Sequence, residues 1–250
     1  MRAVILAGGL GTRLRPYTTI IPKPLVPVGD RPVLEHIIRG LASCGVDRID
    51  VCVGHLGHLI RLYLTQADLP AGVRLAFHWE DEPLGTAGAL RAVPDIDETV
   101  IVMNGDVLTN LDYGALVSYH EEQEAALTIA MHARRVNIDL GVIESADGVV
   151  TDYVEKPQFD YDVSMGVYVY DPRALEYLPE DGPCQFPELV LRLLEEGERV
   201  AAYRSDARWY DIGTPSEHER AAADLLSDPE AYGVEPEHGP DPVPLSADAR

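Results

Sequence analysis

The residues best suited to chemistry gather near the start of the chain, in MRAVILAGGLGTRLRPYTTIIPKPLVPVGDRPVLEHII, residues 1–38. A short apolar run, Ala3 to Leu6, stops at Gly8-Gly9. Gly11 follows, then Arg13 and Arg15, and Lys23 stands between Pro22 and Pro24. This order suits the seating of a polyphosphate. Glycines let backbone N–H groups close around an anion with no Cβ in the way, and guanidinium forks grip phosphate oxygens in pairs. A Walker A loop would need GxxxxGK[ST], but the first lysine, Lys23, lies well beyond Gly11 and is flanked by prolines. A dinucleotide fingerprint would need GxGxxG and an acidic residue at the end of the second strand. Here Gly9-Leu10-Gly11-Thr12-Arg13-Leu14 puts leucine at the third glycine, and the run Ile49–Val53 ends in Gly54-His55. A bare glycine turn would not call for two arginines and a caged lysine.

Asp106, in MNGDVLTN, follows the apolar run Val100–Met103. A carboxylate just past the carboxyl end of a buried strand suits a Mg²⁺ ligand; a turn aspartate capping the next loop is the alternative. In Glu155-Lys156-Pro157 the proline restrains a cation able to hold a phosphate monoester, unless the segment is simply a charged surface loop. His55 and His58 have no third ligand nearby, which argues against zinc. Cys52 lies inside a strand pattern and reads as core. No GxSxG nucleophile motif occurs, in keeping with a reaction that needs no covalent intermediate.

The elements that must position these groups follow from hydrophobic periodicity. Helices are predicted over Arg31–Cys44, Leu56–Leu64, Thr86–Ala92, Tyr113–Gln123, Pro187–Glu196 and from Thr214-Pro215 to about Leu226. Strands are predicted at Ile49–Val53, Val73–Trp79, Thr99–Met103, Ala125–His132, Val200–Tyr203 and Trp209–Ile212. A looser β-rich stretch covers Leu140–Glu144, Val149–Val154 and Val163–Tyr170. Alternation of this kind predicts an α/β, Rossmann-like, mainly parallel mixed sheet with helices on both faces and a short β-rich insertion. Ligands of such sheets bind at the carboxyl ends of strands. Gly8-Gly9, Glu80 and Asn104-Gly105-Asp106 all fall at such ends, which predicts one cleft.

The 250 residues allow one large domain, assigned to 1–226, with a proline-rich acidic tail over 227–250 expected to be disordered. A net charge of −22 argues against a nucleic-acid partner, which would demand lysine and arginine. An acidic chain that handles anions must concentrate its cations locally or recruit a metal. No apolar run is long enough to span a membrane or serve as a secretory leader. Three cysteines without CxxC pairing predict neither a disulfide framework nor a zinc site, and the chain reads as cytoplasmic.

AGGLGTRLRP followed by PKPLVPVGDRPVLEHII resembles the signature of the sugar-1-phosphate nucleotidylyltransferases, and matches recur to about residue 226. The resemblance implies a GT-A-like nucleotidyltransferase fold, Mg²⁺ as cofactor, and an NTP and a sugar 1-phosphate as substrates. It implies nucleotide contacts from Leu6, Ala7, Gly8, Gly9, Gly11, Thr12, Arg13, Lys23, Glu80, Pro83, Gly85, Thr86 and Asp106. Arg13 would face the leaving pyrophosphate and Lys23 the α-phosphate. A second metal carboxylate, Asp211, lies in Trp209-Tyr210-Asp211-Ile212-Gly213-Thr214. Glu155 and Lys156 would meet the sugar phosphate, with Gly141, Ser164 and Gly166 against the sugar. Many relatives have asparagine-alanine where Ser164-Met165-Gly166 stands, which leaves the sugar open. Glu80-Asp81-Glu82-Pro83-Leu84-Gly85-Thr86-Ala87-Gly88 most resembles members that use GTP with mannose- or heptose-type 1-phosphates, with Thr86 able to bond a ring edge. TTP or UTP with glucose 1-phosphate is the alternative within the family. A glycosyltransferase of GT-A type is disfavoured because Asn104-Gly105-Asp106 is not DxD, and a non-catalytic nucleotide-sugar-binding regulator is the alternative outside enzymes. A homo-oligomer stays open.

Overall fold

A computed structural model describes residues 1–80 and 82–234. In chain order these form β1 (Arg2–Ala7), β2 (Pro27–Val28), β3 (Arg31–Pro32), α1 (Val33–Ser43), β4 (Arg48–Val53), α2 (Gly57–Gln66), β5 (Arg74–Trp79), β6 (Val100–Asn104) and β7 (Val107–Thr109). Then follow α3 (Tyr113–Glu122), β8 (Leu127–Asn137), β9 (Gly141–Ala146), β10 (Val149–Glu155), β11 (Gln158–Tyr170), α4 (Phe186–Glu195), β12 (Val200–Arg204), β13 (Trp209–Asp211) and α5 (Pro215–Ser227).

Seven strands make one sheet in the order β12-β8-β11-β6-β1-β4-β5. The pairs β6–β1, β1–β4, β4–β5 and β12–β8 are parallel, whereas β11 runs antiparallel to both β6 and β8. β1 sits at the centre of the parallel part and is buried on both faces, which is why its sequence is apolar without alternation. Its side chains nonetheless divide by strand period. Ala3, Ile5 and Ala7 pack with α1, α2, α3 and α5, while Val4 packs with α4 on the other face. Helices therefore cover both faces, as expected of this architecture.

Several boundaries differ from the expected ones, with β11 starting at Gln158 instead of Val163 and β8 running on to Asn137. The helix expected at Thr86–Ala92 is a 3₁₀ turn over Gly88–Ala92. The N–H groups of Ala87 and Gly88 donate to the Cys184 carbonyl (3.0 and 2.9 Å) instead of entering an α-helical ladder. α1 starts at Val33, because Arg31 and Pro32 pair with Pro27 and Val28 in a two-stranded ladder. The tail expected from Ser227 onward is in part structured. A 3₁₀ turn at Pro229–Tyr232 buries Tyr232, and Val234 also joins the core, so these two side chains supply the apolar area that composition averaged away. Residues 235–250, the remainder of that expected disorder, lie outside the described residues, as does Asp81.

β8 and β11 outrun the rest of the sheet, and their far halves pair Asn137 with Gln158 and His132 with Val163. Between them β9 and β10 form a hairpin of their own. Its turn is Asp147-Gly148, both at positive φ, as the right-handed twist of a two-residue hairpin requires. None of the described helices is long and apolar enough to cross a membrane.

Candidate active site

The parallel strands deliver their carboxyl ends to one side of the sheet, where a cleft of about 380 Å³ opens. β1 ends at Ala7, and Gly8 and Gly9 carry the chain over the strand end. A Cβ at Gly8 would stand 2.6 Å from Glu80 Oε1 beyond the end of β5, so the Glu80 carboxylate would have to swing aside to admit it. Gly11 takes φ +59° to open a 3₁₀ turn at Thr12–Leu14, and its carbonyl accepts the Thr18 hydroxyl (2.7 Å). The turn is thus fixed from both ends, with Arg13 at its apex facing the cleft.

β6 ends at Asn104, and the Gly105 N–H donates to the Leu6 carbonyl (2.9 Å). That bond sets Asp106 beside the glycine turn. Asp211 reaches the same place from far along the chain, because β13 pairs antiparallel with β7 and sets Asp211 opposite Val107. The Ile212 N–H donates to the Asp106 carbonyl (2.9 Å), which ties the two acids together through the backbone. Lys23, nearly buried, completes the cluster. Its Nζ donates to Asp106 Oδ2 and, at 3.2 Å, to Asp211 Oδ1. An ammonium shielded from water needs such partners. Arg13, which lines the cleft, has Nη2 3.8 Å from Asp211 Oδ2 and a side chain 69% exposed.

The other wall carries Glu80, whose Oε2 accepts the Leu84 N–H (3.1 Å). Burial raises the Glu80 carboxyl above its ordinary value, and that N–H only partly offsets the shift. Gly85 has φ +78°, and a Cβ there would lie 2.5 Å from the Cys184 carbonyl oxygen. Thr86 Oγ1 accepts the Phe186 N–H at the start of α4 (2.8 Å), a bond that holds that helix and does not use the hydroxyl's own proton.

All thirteen residues expected to contact nucleotide line this cleft: Leu6, Ala7, Gly8, Gly9, Gly11, Thr12, Arg13, Lys23, Glu80, Pro83, Gly85, Thr86 and Asp106. Asp211 joins through Lys23. Ser164 and Gly166 stand one layer back. Gly166, at φ +71°, packs on Asn104, which borders the cleft, and its N–H donates to Ser164 Oγ (3.3 Å). Gly141, Glu155 and Lys156 are not brought in; they stand at the base of the β9–β10 hairpin, outside the cleft wall. Gly141 is not bare either. The Tyr153 phenol covers it (a Cβ would come 2.0 Å from that oxygen) and donates to Glu155 Oε2 (3.0 Å). Lys156 sits at φ +47°, with its N–H on the Leu140 carbonyl (3.3 Å) and no ion-pair partner among the described residues.

The cleft also includes residues for which no role was foreseen. Gly213 follows Asp211, and a Cβ there would crowd both the Asp211 carboxylate (3.1 Å) and Arg13 Nη2 (3.2 Å); its adjacency to the acid in Asp211-Ile212-Gly213 was the available signal. Gln185 arrives from the loop before α4, where no local pattern marks it. No cluster of three or more His, Cys, Asp or Glu side chains forms a closed metal site among the described residues.

A glycine-turn anion seat joined to two carboxylates at the strand ends of a mainly parallel sheet defines a nucleotide-handling α/β protein. The chain belongs to the nucleotidyl transferase family, whose sequence profile matches residues 2–228. It is 32% identical to a UTP–glucose-1-phosphate uridylyltransferase of Synechocystis over 91% of this chain and 64% of that one. It is 31% identical to a mannose-1-phosphate guanyltransferase of Candida albicans over 87% of this chain and 62% of that one. The chain thus spans less than two thirds of the length of these curated relatives. Among solved structures, HddC from Yersinia pseudotuberculosis superimposes with a TM-score of 0.72 at 30% identity, over 90% of this chain and 99% of that one. The same protein complexed with GMP-PN gives 0.68 at 29%.

Proposed function

We propose that the chain transfers a nucleotidyl group from an NTP to a sugar 1-phosphate with Mg²⁺, giving an NDP-sugar and pyrophosphate. The observation that carries this reading is the convergence of Arg13, Lys23, Asp106 and Asp211 on the Gly8–Gly11 turn. Cations and acids packed together at an anion seat suit a reaction between two polyanions.

An oxygen of the sugar phosphate attacks the α-phosphorus in line; a new P–O bond forms and the bond to pyrophosphate breaks. A phosphate monoester is largely dianionic near neutral pH, so the nucleophile needs no base. Backbone N–H groups at Gly8–Gly11 hold the triphosphate. Arg13 takes up charge on the departing pyrophosphate, and Lys23 turns toward the α-phosphate. Lys156 holds the incoming monoester. The donor set fits a hard divalent cation, since Mg²⁺ is usually bound by one or two carboxylates plus substrate phosphates. Asp106 and Asp211 would hold it, and it would supply neutralisation of charge between the phosphates.

The Glu80–Gly88 segment and the likeness to guanyltransferases support GTP with a mannose- or heptose-type 1-phosphate. UTP or TTP with glucose 1-phosphate is a second reading, favoured by the likeness to a uridylyltransferase. Mixing purified protein with Mg²⁺, each NTP and each of mannose, heptose, glucose and galactose 1-phosphates, and measuring pyrophosphate, tests both. The productive pair identifies base and sugar. Pyrophosphate from none of them, with nucleotide sugar still bound, would favour a non-catalytic regulator instead.

A further inference from the structure

Gln185 reaches the cleft from the start of α4, next to the segment that holds Gly85 and Thr86 in place. Its N–H donates to the Glu188 carboxylate (2.8 Å), and the Glu188 N–H donates to the Gln185 backbone carbonyl (3.1 Å). These backbone bonds fix the start of α4 and leave the carboxamide to the cleft side of the turn that Gly85 packs on. The carboxamide nitrogen lies against Gly85, where a Cβ would come within 2.9 Å of it, and both residues line the cleft. Nε2 can only donate. Glu80, which borders the same cleft, can only accept once ionised. Its Oε2 is engaged by Leu84, and its Oε1 lies against Gly8.

We propose that Gln185 reads the nucleobase by donating from Nε2 to a ring carbonyl, while Glu80 accepts from the N–H groups beside that carbonyl. The inference rests on the nucleotidyl-transfer reading above and specifies the base. Guanine offers a carbonyl, a ring N–H and an exocyclic amino group in a row, and so satisfies both residues. Uracil and thymine offer a carbonyl and one ring N–H, but their second carbonyl then faces the carboxylate. Adenine has no carbonyl. Its amino group would meet the Nε2 donors head-on, and its unprotonated ring nitrogen would meet Glu80. Leaving polar groups unpaired in a cleft is what makes such discrimination steep.

The test is calorimetric titration of GTP, UTP and ATP, each with Mg²⁺ and without sugar phosphate, into the wild type, Gln185→Ser and Gln185→Glu. Serine keeps a helix cap but withdraws the donor; glutamate keeps the length and replaces the donor by an acceptor. The expected wild-type order is GTP over UTP over ATP. Gln185→Ser should weaken GTP about tenfold and strengthen ATP slightly by removing the opposed donor, and Gln185→Glu should weaken GTP further and strengthen ATP more. Thermal melts of both variants confirm that the fold is kept. A GTP-to-ATP ratio that neither substitution moves overturns the inference and leaves nucleotidyl transfer standing. A wild type that takes up none of the three nucleotides overturns the transfer reading and this inference with it.

Discussion

The cleft wall and the β9–β10 hairpin both carry residues proposed to touch substrate, but they are built in opposite ways. In the wall, Ile5, Met103 and Val167 are fully buried, and backbone bonds such as Gly105 N–H to Leu6 lock the strand ends together. In the hairpin, Ile143, Val150 and Tyr153 are 57%, 60% and 57% exposed, and the two strands pair only with each other. A lone two-stranded hairpin is marginal in water, and segments with little buried area open at lowest cost. The contrast teaches that the proposed polyphosphate seat is built into the sheet, whereas Lys156 and Gly141 are presented on a thin arm.

The sharpest test of this contrast compares charge removal in the two regions. Asp106→Asn should reduce pyrophosphate release roughly 10³-fold or more, because it removes one of two acids shared with Lys23. A loss below tenfold would detach Asp106 from the chemistry. Lys156→Ala should reduce kcat/KM for sugar 1-phosphate about 10²-fold by raising KM, with the melting temperature and NTP affinity unchanged, as befits an exposed side chain. If NTP affinity fell too, the hairpin would belong to the nucleotide seat and the contrast would collapse.

Two glycines at positive φ compare the regions without touching charge. Gly85→Ala meets both a left-handed backbone and the Cys184 carbonyl, and should cost on the order of 2–4 kcal/mol by thermal or denaturant unfolding. Gly148→Ala, at the hairpin turn with nothing near its Cβ position, should cost about 1 kcal/mol. Equal losses would mean that the wall is no more tightly packed than the arm. The smallest effect is expected at Glu80. Its carboxyl is raised from an ordinary value of 4.5 on folding, so the folded state holds the proton more tightly, and stability is lost as pH rises from there through the raised value. Glu80→Gln should therefore melt slightly higher than the wild type at pH 7, with the gap closing below pH 4.5. A gap that is constant with pH would mean that burial does not burden the carboxylate.

The same contrast explains what the sequence alone could reveal. The strands ending at Ala7 and Asn104 announce themselves by apolar runs that stop at glycines, and a cleft at strand ends follows from the parallel fold. Gly8, Gly9, Glu80 and Asp106 are legible for that reason, whereas the other cleft residues, Lys23 and Thr86 among them, were implied by the family resemblance. Gln185 was not legible. It meets Gly85 only through a loop about 100 residues downstream, as the Phe186–Thr86 bond shows, and nothing in its own neighbourhood encodes that meeting. The 3₁₀ turn at Gly88–Ala92 escaped for the same reason, since the distant Cys184 carbonyl captures the N–H groups that an α-helix would have used. Tyr153 over Gly141 escaped because which ring covers a glycine depends on cross-strand register, not on composition.

The backbone bond from Ile212 to Asp106 has a consequence for biogenesis. A nascent polypeptide that has left the ribosome only as far as α4 possesses the glycine turn, Lys23 and Asp106, yet lacks the strand that brings the second acid. Lys23 then has one carboxylate instead of two, and the cluster of charges is incomplete. The cluster is therefore complete only once the segment around Asp211 docks on β7 and closes the circuit between two distant stretches of chain.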